Sequence, residues 1–559
     1  MREENNKLQK RKFKLDINFT TVAIVLIAIL CVTITPVTFQ NDTYYTIKIG
    51  EHIKNFGIDM MDPFSWHEDL SYTYPHWLYD FCTYLVYGLA GFKGIYILTC
   101  ALSALLGVSI FLVNSKLTKN KAISFLVTIG SIYMLQDYIA ARAQLVTFIL
   151  FIWEIFCIEK FIENRKIIYG IMLILISLLI ANLHVATWPF FFVLFMPYIA
   201  EYIISVISDT IIYNQIQTYM LKNKIEHMEK KNKNPEKLEK LQAKLQNIEN
   251  IVSKIKVRRE EEKRNPYKLI IERNGNVKFL IIIMIICALM GLITPIGNTP
   301  YTYLYKTMEG NTTKSISEHL PLTLANSTDI ICMLIIFLAI LIFTNAKIKL
   351  SDLFMLSGLC YLMFSTRRQA SMFALICSVI LTRLLIDLLK RYTKNGLEEA
   401  EKTAKHIGVV ITLTILMSVV YYDSITNKID DEFVDSSAYP VAACDYILEN
   451  IDLENAKFYN EYNFGSYMLF RDIPVFIDSR ADLYAPEFSG NESEDVFSDF
   501  IDTSSIGKFY EDTFEKYKIT HLLISKKSKT NMIITKTEDE NYKELYSDDD
   551  FIIYERLNV

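Results

Sequence analysis

The chain has 559 residues, 51% of them hydrophobic and 22% charged, with a formal net charge of −5. Apolar blocks alternating with strongly charged ones exclude a single soluble globular domain and point to a polytopic membrane protein with soluble insertions. Nine cysteines are scattered without a CxxC pair, so neither a disulfide framework nor a zinc site is indicated.

Residues 1–18 form a basic tail ahead of the first apolar run, Phe19 to Pro36. That run is long and lacks a small-x-small cleavage site, so it reads as an uncleaved first span with its N-terminus inside. Further apolar runs follow at 94–113, 121–137, 144–161, 167–182, 188–208, 277–295, 328–345, 351–365, 370–390 and 406–422. At roughly 17–25 residues per span these predict about eleven transmembrane helices. Residues 77–91 are apolar but short and bounded by glycines, which predicts a separate helix lying at the interface with Trp and Tyr anchors. With the N-terminus inside, the inner loops (114–120, 162–166, 209–276, 346–350 and 391–405) are rich in Lys and Arg. The outer loops are then 37–93, 138–143, 183–187, 296–327 and 366–369, and everything after 423 is also outside.

Residues 37–93 make an outer loop too polar, aromatic and acidic for a plain connector. Asp42 follows the exit of the first span, ahead of an amphipathic pattern of Tyr45, Ile49, Ile53 and Phe56 closed by Gly57. Asp42 can be the N-cap and Gly57 the C-cap of a juxtamembrane helix, and Asp62-Pro63 can likewise be an N-cap with Pro at the first helical position. The functional alternative is that Asp42, Asp62 and Asp80 serve chemistry at the outer face.

Residues 210–268 are a charged insertion. Leu238, Leu241, Leu245, Ile248, Val252 and Ile255 recur at steps of three and four, and Leu221, Ile225 and Met228 show the same steps before Asn234-Pro235 breaks the helix. A cytoplasmic coiled-coil hairpin is predicted, serving as a spacer, a contact for a cytoplasmic partner or a self-association element. Residues 430–559 are acidic and carry short alternating runs at Lys457–Tyr459, Pro474–Ile477, His521–Ile524 and Phe551–Tyr554, with helix-like stretches at Val441–Asn450 and Ile506–Tyr517. That alternation predicts a small extracytoplasmic α/β domain. Within it, Asp478, Arg480 and Asp482 either pair structurally in a tight turn or close over the membrane cavity and bind an acceptor.

The same topology sends many polar groups to one side: Asp42, Asp62, His76, Asp80, Arg142, Asn182, His184, Glu318, His319, Arg367 and Arg368. The arginines either snorkel to headgroups or meet an anion at the outer leaflet. No two histidines stand four apart on one helix, so a divalent metal is possible but not indicated. No nucleic-acid partner is expected.

The segment NDTYYTIKIGEHIKNFGIDMMDPFSWHEDLSYTYPHWLYD at 41–80 resembles a pattern in bacterial multi-pass proteins of the GT-C glycosyltransferase superfamily. ARAQLVTF at 141–148, ANLH at 181–184, TPIGN at 294–298, ISEHLP at 316–321 and FSTRRQASMFAL at 364–375 are similar in kind and order. The C-terminal stretch YNEYNFGSYMLF…IPVFIDSRADLY also looks like such proteins. The resemblance implies a GT-C-like transmembrane domain over 19–422 in the cytoplasmic membrane. It implies transfer of a sugar from a polyprenyl-phosphate donor substrate to a glycan, lipid or protein acceptor at the outer face. It puts the carboxylate base on Asp42, with Asp62 or Asp80 orienting the acceptor. Arg142, Arg367, Arg368 and His184 would meet the lipid phosphate, while Asn182, Glu318, His319 and His76 would line the substrate site. The sequence departs from the pattern at Asp80, where Glu is common, and at Ala143 and His319, where Pro and Trp are common. A lipid-linked saccharide transporter, or a non-catalytic envelope assembly component, is the alternative.

Overall fold

A computed structural model of the chain describes residues 18–207, 210–230, 235–264, 268–428, 431–490 and 495–557. The basic tail before Asn18 lies outside the described residues. The apolar runs are mainly helical, because a helix keeps its backbone hydrogen bonds local, and the 188–208 run, which carries Pro189 and Pro197, is split at Leu194-Phe195. The first half contains α1 (Phe19–Ile34), α2 (Asn41–Phe56), α3 (Trp77–Thr118), α4 (Lys121–Leu135), α5 (Ala143–Asn164), α6 (Ile167–Leu183), α7 (Trp188–Val193) and α8 (Met196–Ile207). The insertion supplies α9 (Thr210–Glu229) and α10 (Pro235–Arg264). Then follow α11 (Val277–Leu289), α12 (Thr299–Glu309), α13 (Thr312–Ser315), α14 (Thr328–Phe343), α15 (Leu350–Ser365), α16 (Ala370–Tyr392), α17 (Gly396–Ala404) and α18 (Ile407–Lys428). Two short parallel strands, β1 (Leu269–Ile270) and β2 (Ile348–Lys349), tie the end of the insertion to the start of α15.

Length separates these helices. Among the described residues three helical stretches, Trp77–Thr118, Val185–Ile207 and Arg367–Tyr392, are long and apolar enough to cross a membrane, and α17 with α18 makes a bent pair. Five others, α1 among them, are apolar but shorter. At about 1.5 Å per residue the 16 residues of α1 rise about 24 Å, short of a hydrocarbon core of about 30 Å. The division expected near residue 91 is present: the 42-residue α3 is two helices meeting at a kink at Gly91 (φ 59°, ψ −150°), one over 77–90 and one over 92–118. That backbone conformation is open to glycine, which lacks a Cβ to clash.

The insertion is an antiparallel hairpin. Lys222 reaches Glu249 at 2.9 Å and Gln242 reaches Glu229 at 3.2 Å, so α9 and α10 run in opposite directions. Ile225 and Ile248 are buried between them, as the heptad spacing predicts.

The C-terminal part holds α19 (Val441–Asn450), β3 (Phe458–Asn460), α20 (Tyr462–Phe470), α21 (Pro486–Ser489), α22 (Val496–Ser505), α23 (Tyr510–Tyr517), β4 (His521–Ser525), α24 (Lys529–Thr537), β5 (Tyr542–Ser547) and β6 (Phe551–Arg556). Its sheet order is β3-β4-β6-β5, with β3 and β4 parallel and the other pairs antiparallel. Leu522, Leu523 and Ile524 are all buried, so β4 is covered on both faces and reads as an unbroken apolar run. Two local readings are corrected. Pro474–Ile477 is no sheet strand; Val475 instead makes an isolated bridge with Ser65 of the outer loop. The stretch Ile506–Tyr517 is helical only from Tyr510, because Ile506 sits at φ 67° and caps α22.

One apolar core spans the 37–93 loop and the C-terminal part. Tyr44 meets Tyr439 and Tyr467 edge-on at 4.9 and 5.1 Å, and the Trp66 indole donates to the Phe458 carbonyl at 2.9 Å. His67 bonds the Phe476 carbonyl at 2.9 Å. The 37–93 loop is therefore wedged against the sheet domain, with the Trp66 and His67 rings bonded to its carbonyls and the Tyr44 and Tyr72 hydroxyls buried without a partner.

Candidate functional site

A cavity of about 350 Å³ lies where α2, the outer loop, the N-terminus of α5, the turn after α6, the 316–319 and 367–369 turns and the C-terminal domain meet. Asp42, His76, Arg142, His184, Glu318, His319, Arg368, Arg480 and Asp482 all line it. Side chains from widely separated segments thus share one space.

Asp42 is in the first turn of α2, whose N-cap is Gln40. Asp42 is therefore not the cap; Gly57 at the other end is, with φ 87°. The Asp42 carboxylate sits 2.9 Å from Arg142, the N-cap of α5, and Arg142 also reaches Glu318 at 3.3 Å. Burial opposes the charge of Arg142, but Asp42 and Glu318 outweigh that cost and hold the guanidinium protonated beyond its ordinary range. Its Nε is buried without a partner.

The histidines form a neutral wall. His76 and His184 stack edge-on at 4.8 Å between ring centres. His184 Nδ1 lies 3.0 Å from the Thr147 hydroxyl, which fixes the ring's orientation. Burial, with Arg368 and Arg142 nearby, pulls His76 down to about 3. Burial likewise lowers His184 well below its usual range, with His76 and the two arginines adding to the effect. His319 is lowered by burial and then by Arg368.

The C-terminal domain closes the cavity through a buried ion triad. Arg480 grips Asp478 through Nε (2.9 Å) and Nη2 (2.6 Å), and its Nη1 meets Asp62 at 2.7 Å. Tyr484 adds a bond to Asp478 at 2.6 Å. Arg480 lines the cavity, whereas Asp478 and Asp62 lie behind it. Asp62 is no helix cap: its carboxylate accepts from the Phe64 and Ser65 amides, the pattern of an Asx turn. Burial would raise its pKa, but Arg480 and the Ser65 bonds overcome this and lower it. Asp482 accepts from the hydroxyls of Tyr303 and of Thr312, at 3.0 Å for the latter, so it fastens the 296–327 loop to the domain.

Three expectations change. Asp80 is fully buried beneath α2, close to Thr46 but with neither carboxyl oxygen in hydrogen-bond geometry, and it does not line the cavity. Asn182 spends its amide on the Leu178 and Ile293 carbonyls and the Trp77 indole, so it joins helices instead of facing a ligand. Arg367 is absent from the main cavity and lines a smaller one of about 90 Å³ beside it. Among the described residues no group of three or more His, Cys, Asp or Glu side chains is gathered as a metal would need.

The structure adds Tyr45, Ser71, Tyr72, Thr73, Tyr303, Asn463 and Phe488 to the lining. Tyr72 and Thr73 stand near His76 in the SYTYPH run, a local signal for membership. Phe488 has no such signal, because its place depends on the sheet domain's docking. The lining thus pairs cations with carboxylates and adds hydroxyls and aromatic faces, a set suited to an anionic, polyhydroxylated ligand. Neither the protein-family models nor the curated proteins compared with this chain match it.

Proposed function

We propose that this chain is a GT-C-like membrane glycosyltransferase that moves a sugar from a polyprenyl-phosphate donor to an acceptor hydroxyl at the outer face of the cytoplasmic membrane. The observation that carries the reading is the single cavity in which Asp42, Arg142, Arg368, His76, His184 and Arg480 converge. In this reading the apolar helices are about eleven spans, the shorter ones meeting a locally thinned bilayer, and the sheet domain is extracytoplasmic.

Asp42 is the catalytic base. It takes the proton of the acceptor hydroxyl as that oxygen bonds to the anomeric carbon. The bond from the anomeric carbon to the phosphate oxygen breaks, and its electron pair leaves with the polyprenyl phosphate. Arg142 orients the Asp42 carboxylate, and Arg368 faces the charge that develops on the leaving phosphate in a site partly closed to water. Neutral His76 and His184 leave the cation charge of the site to the arginines.

A second reading has one specific observation behind it. Glu154, inside α5, is fully buried and both its carboxyl oxygens lack a partner. An ionisable group inside a span suits proton-coupled transport of a lipid-linked saccharide. Asp42→Asn separates the two. In a deletion strain complemented with this variant, mass spectrometry of envelope glycans and polyprenyl-phosphate sugars is expected to show the donor accumulating and its product missing. Full complementation by Asp42→Asn overturns the enzyme reading, as does an unchanged glycan and lipid profile in the deletion strain itself.

A further inference from the structure

The main cavity and the smaller one beside it share three lining residues: Arg142, Glu318 and Arg368. The partition between the two spaces is thus a carboxylate set beside two guanidinium groups. The small space adds Arg367, Gln144, Tyr138 and Gln40, together with one further carboxylate, Asp137. We propose that Glu318 is a built-in stand-in anion, which occupies the subsite between Arg142 and Arg368 until the phosphate of an incoming ligand displaces it and opens the main cavity into the smaller one. The inference rests on the glycosyl-transfer reading, since that reading supplies the phosphorylated ligand.

Four observations support displacement. The Glu318 side chain is 47% exposed, and its contact with Arg142 is 3.3 Å against 2.9 Å for Asp42 with the same arginine. Glu318 is thus the more exposed member of the pair, and its longer contact is the weaker of the two that Arg142 makes. The Arg142 Nε remains a buried donor with no acceptor, so the hydrogen bonding of this guanidinium is incomplete while Glu318 is its partner. The backbone at Glu318 is anchored separately, its carbonyl accepting from the Arg368 amide at 3.0 Å. Rotation of the side chain alone can therefore clear the partition while the turn stays in place. Carboxylate and phosphate make the same demand on a guanidinium, two parallel N–H donors, so one substitutes for the other without rebuilding the site. When Glu318 leaves, Arg142 keeps its bond to Asp42 and the base stays oriented.

The test uses the full chain in nanodiscs and measures binding of undecaprenyl phosphate, with inorganic phosphate as a second probe. Glu318→Gln removes the competing charge and keeps the shape, and is expected to tighten lipid-phosphate binding at least fivefold. Glu318→Asp, which keeps the charge on a shorter stem, is expected to fall between the two and serves if Glu318→Gln does not fold. An equal gain for inorganic phosphate supports the gate and assigns it to the phosphate group alone. A gain confined to the lipid supports it and assigns it to the lipid-borne headgroup. If wild type binds lipid phosphate but Glu318→Gln binds no tighter, the gate is overturned and the glycosyl-transfer reading survives. If neither wild type nor variants bind it, both fall.

Discussion

Asp62 and Arg480 are 418 positions apart in the chain and 2.7 Å apart in space. Each of these side chains is at most 3% exposed. The pair joins the outer loop to the sheet domain directly behind the cavity. Removing one partner leaves a buried charge uncompensated, which costs about 3–5 kcal/mol. Asp62→Ala and Arg480→Ala are each expected to lower the unfolding midpoint of the detergent-solubilised protein. The double substitution is expected to cost less than the two single costs added together, the signature of direct coupling. Additive costs would show that the contact contributes nothing of its own.

Gly50 is where α2 meets α3. A Cβ placed there would lie 2.2 Å from the Asp80 carbonyl oxygen and 2.5 Å from the Tyr84 Cβ. Backbone cannot yield as a side-chain tip can, so Gly50→Ala pushes the two helices apart. Overpacking of this kind costs about 1–3 kcal/mol. Because Asp42 rides on the same helix, sugar transfer is expected to fall more than stability alone explains, measured as donor accumulation in complemented cells.

Asp80 behaves oppositely. It is fully buried, without hydrogen-bond partners and outside the cavity. Asp80→Leu, close in size, removes the unpaired carboxyl and leaves no polar atom in its place. It is expected to leave transfer unchanged and raise stability by about 1 kcal/mol. Loss of transfer with stability intact would return Asp80 to the reacting groups.

Acid is expected to destabilise the fold between about pH 6.5 and 4. Burial drives His67 from 6.5 to about 4, and burial with Arg368 and Arg142 drives His76 to about 3. Over that range the unfolded chain binds protons that the folded rings refuse. The stability tied to the neutral rings is thus complete above 6.5 and is lost as pH falls. Asp62, lowered by Arg480 against its own burial, adds a loss of the same sign below the usual carboxylate range. The check is the unfolding midpoint from pH 7.5 to 4.5 for wild type and His67→Gln, which keeps a donor for the Phe476 carbonyl. The variant is expected to show the shallower slope; identical slopes would remove His67 from the account.

The sequence by itself determined the helices. Hydropathy runs and heptad spacing are local properties, so α1, α14, α16 and the α9–α10 hairpin were legible residue by residue. Convergence of Asp42, Arg142, His184, Glu318 and Arg368 on one cavity was legible as an expectation, because the topology predicted from the apolar runs and the Lys/Arg-rich loops puts these segments on one side. Tertiary structure alone decided which of those groups face a ligand and which serve the scaffold. Asp62, Asp478 and Asn182 look like site residues in the chain, and the fold turns them to Arg480 and to neighbouring helices. Tyr303 and Phe488 carry no local mark and enter the lining through the docking of the sheet domain. The physical reason is range: hydrogen bonding along a helix is set within four residues, whereas a buried charge takes whichever partner the packed fold brings within reach.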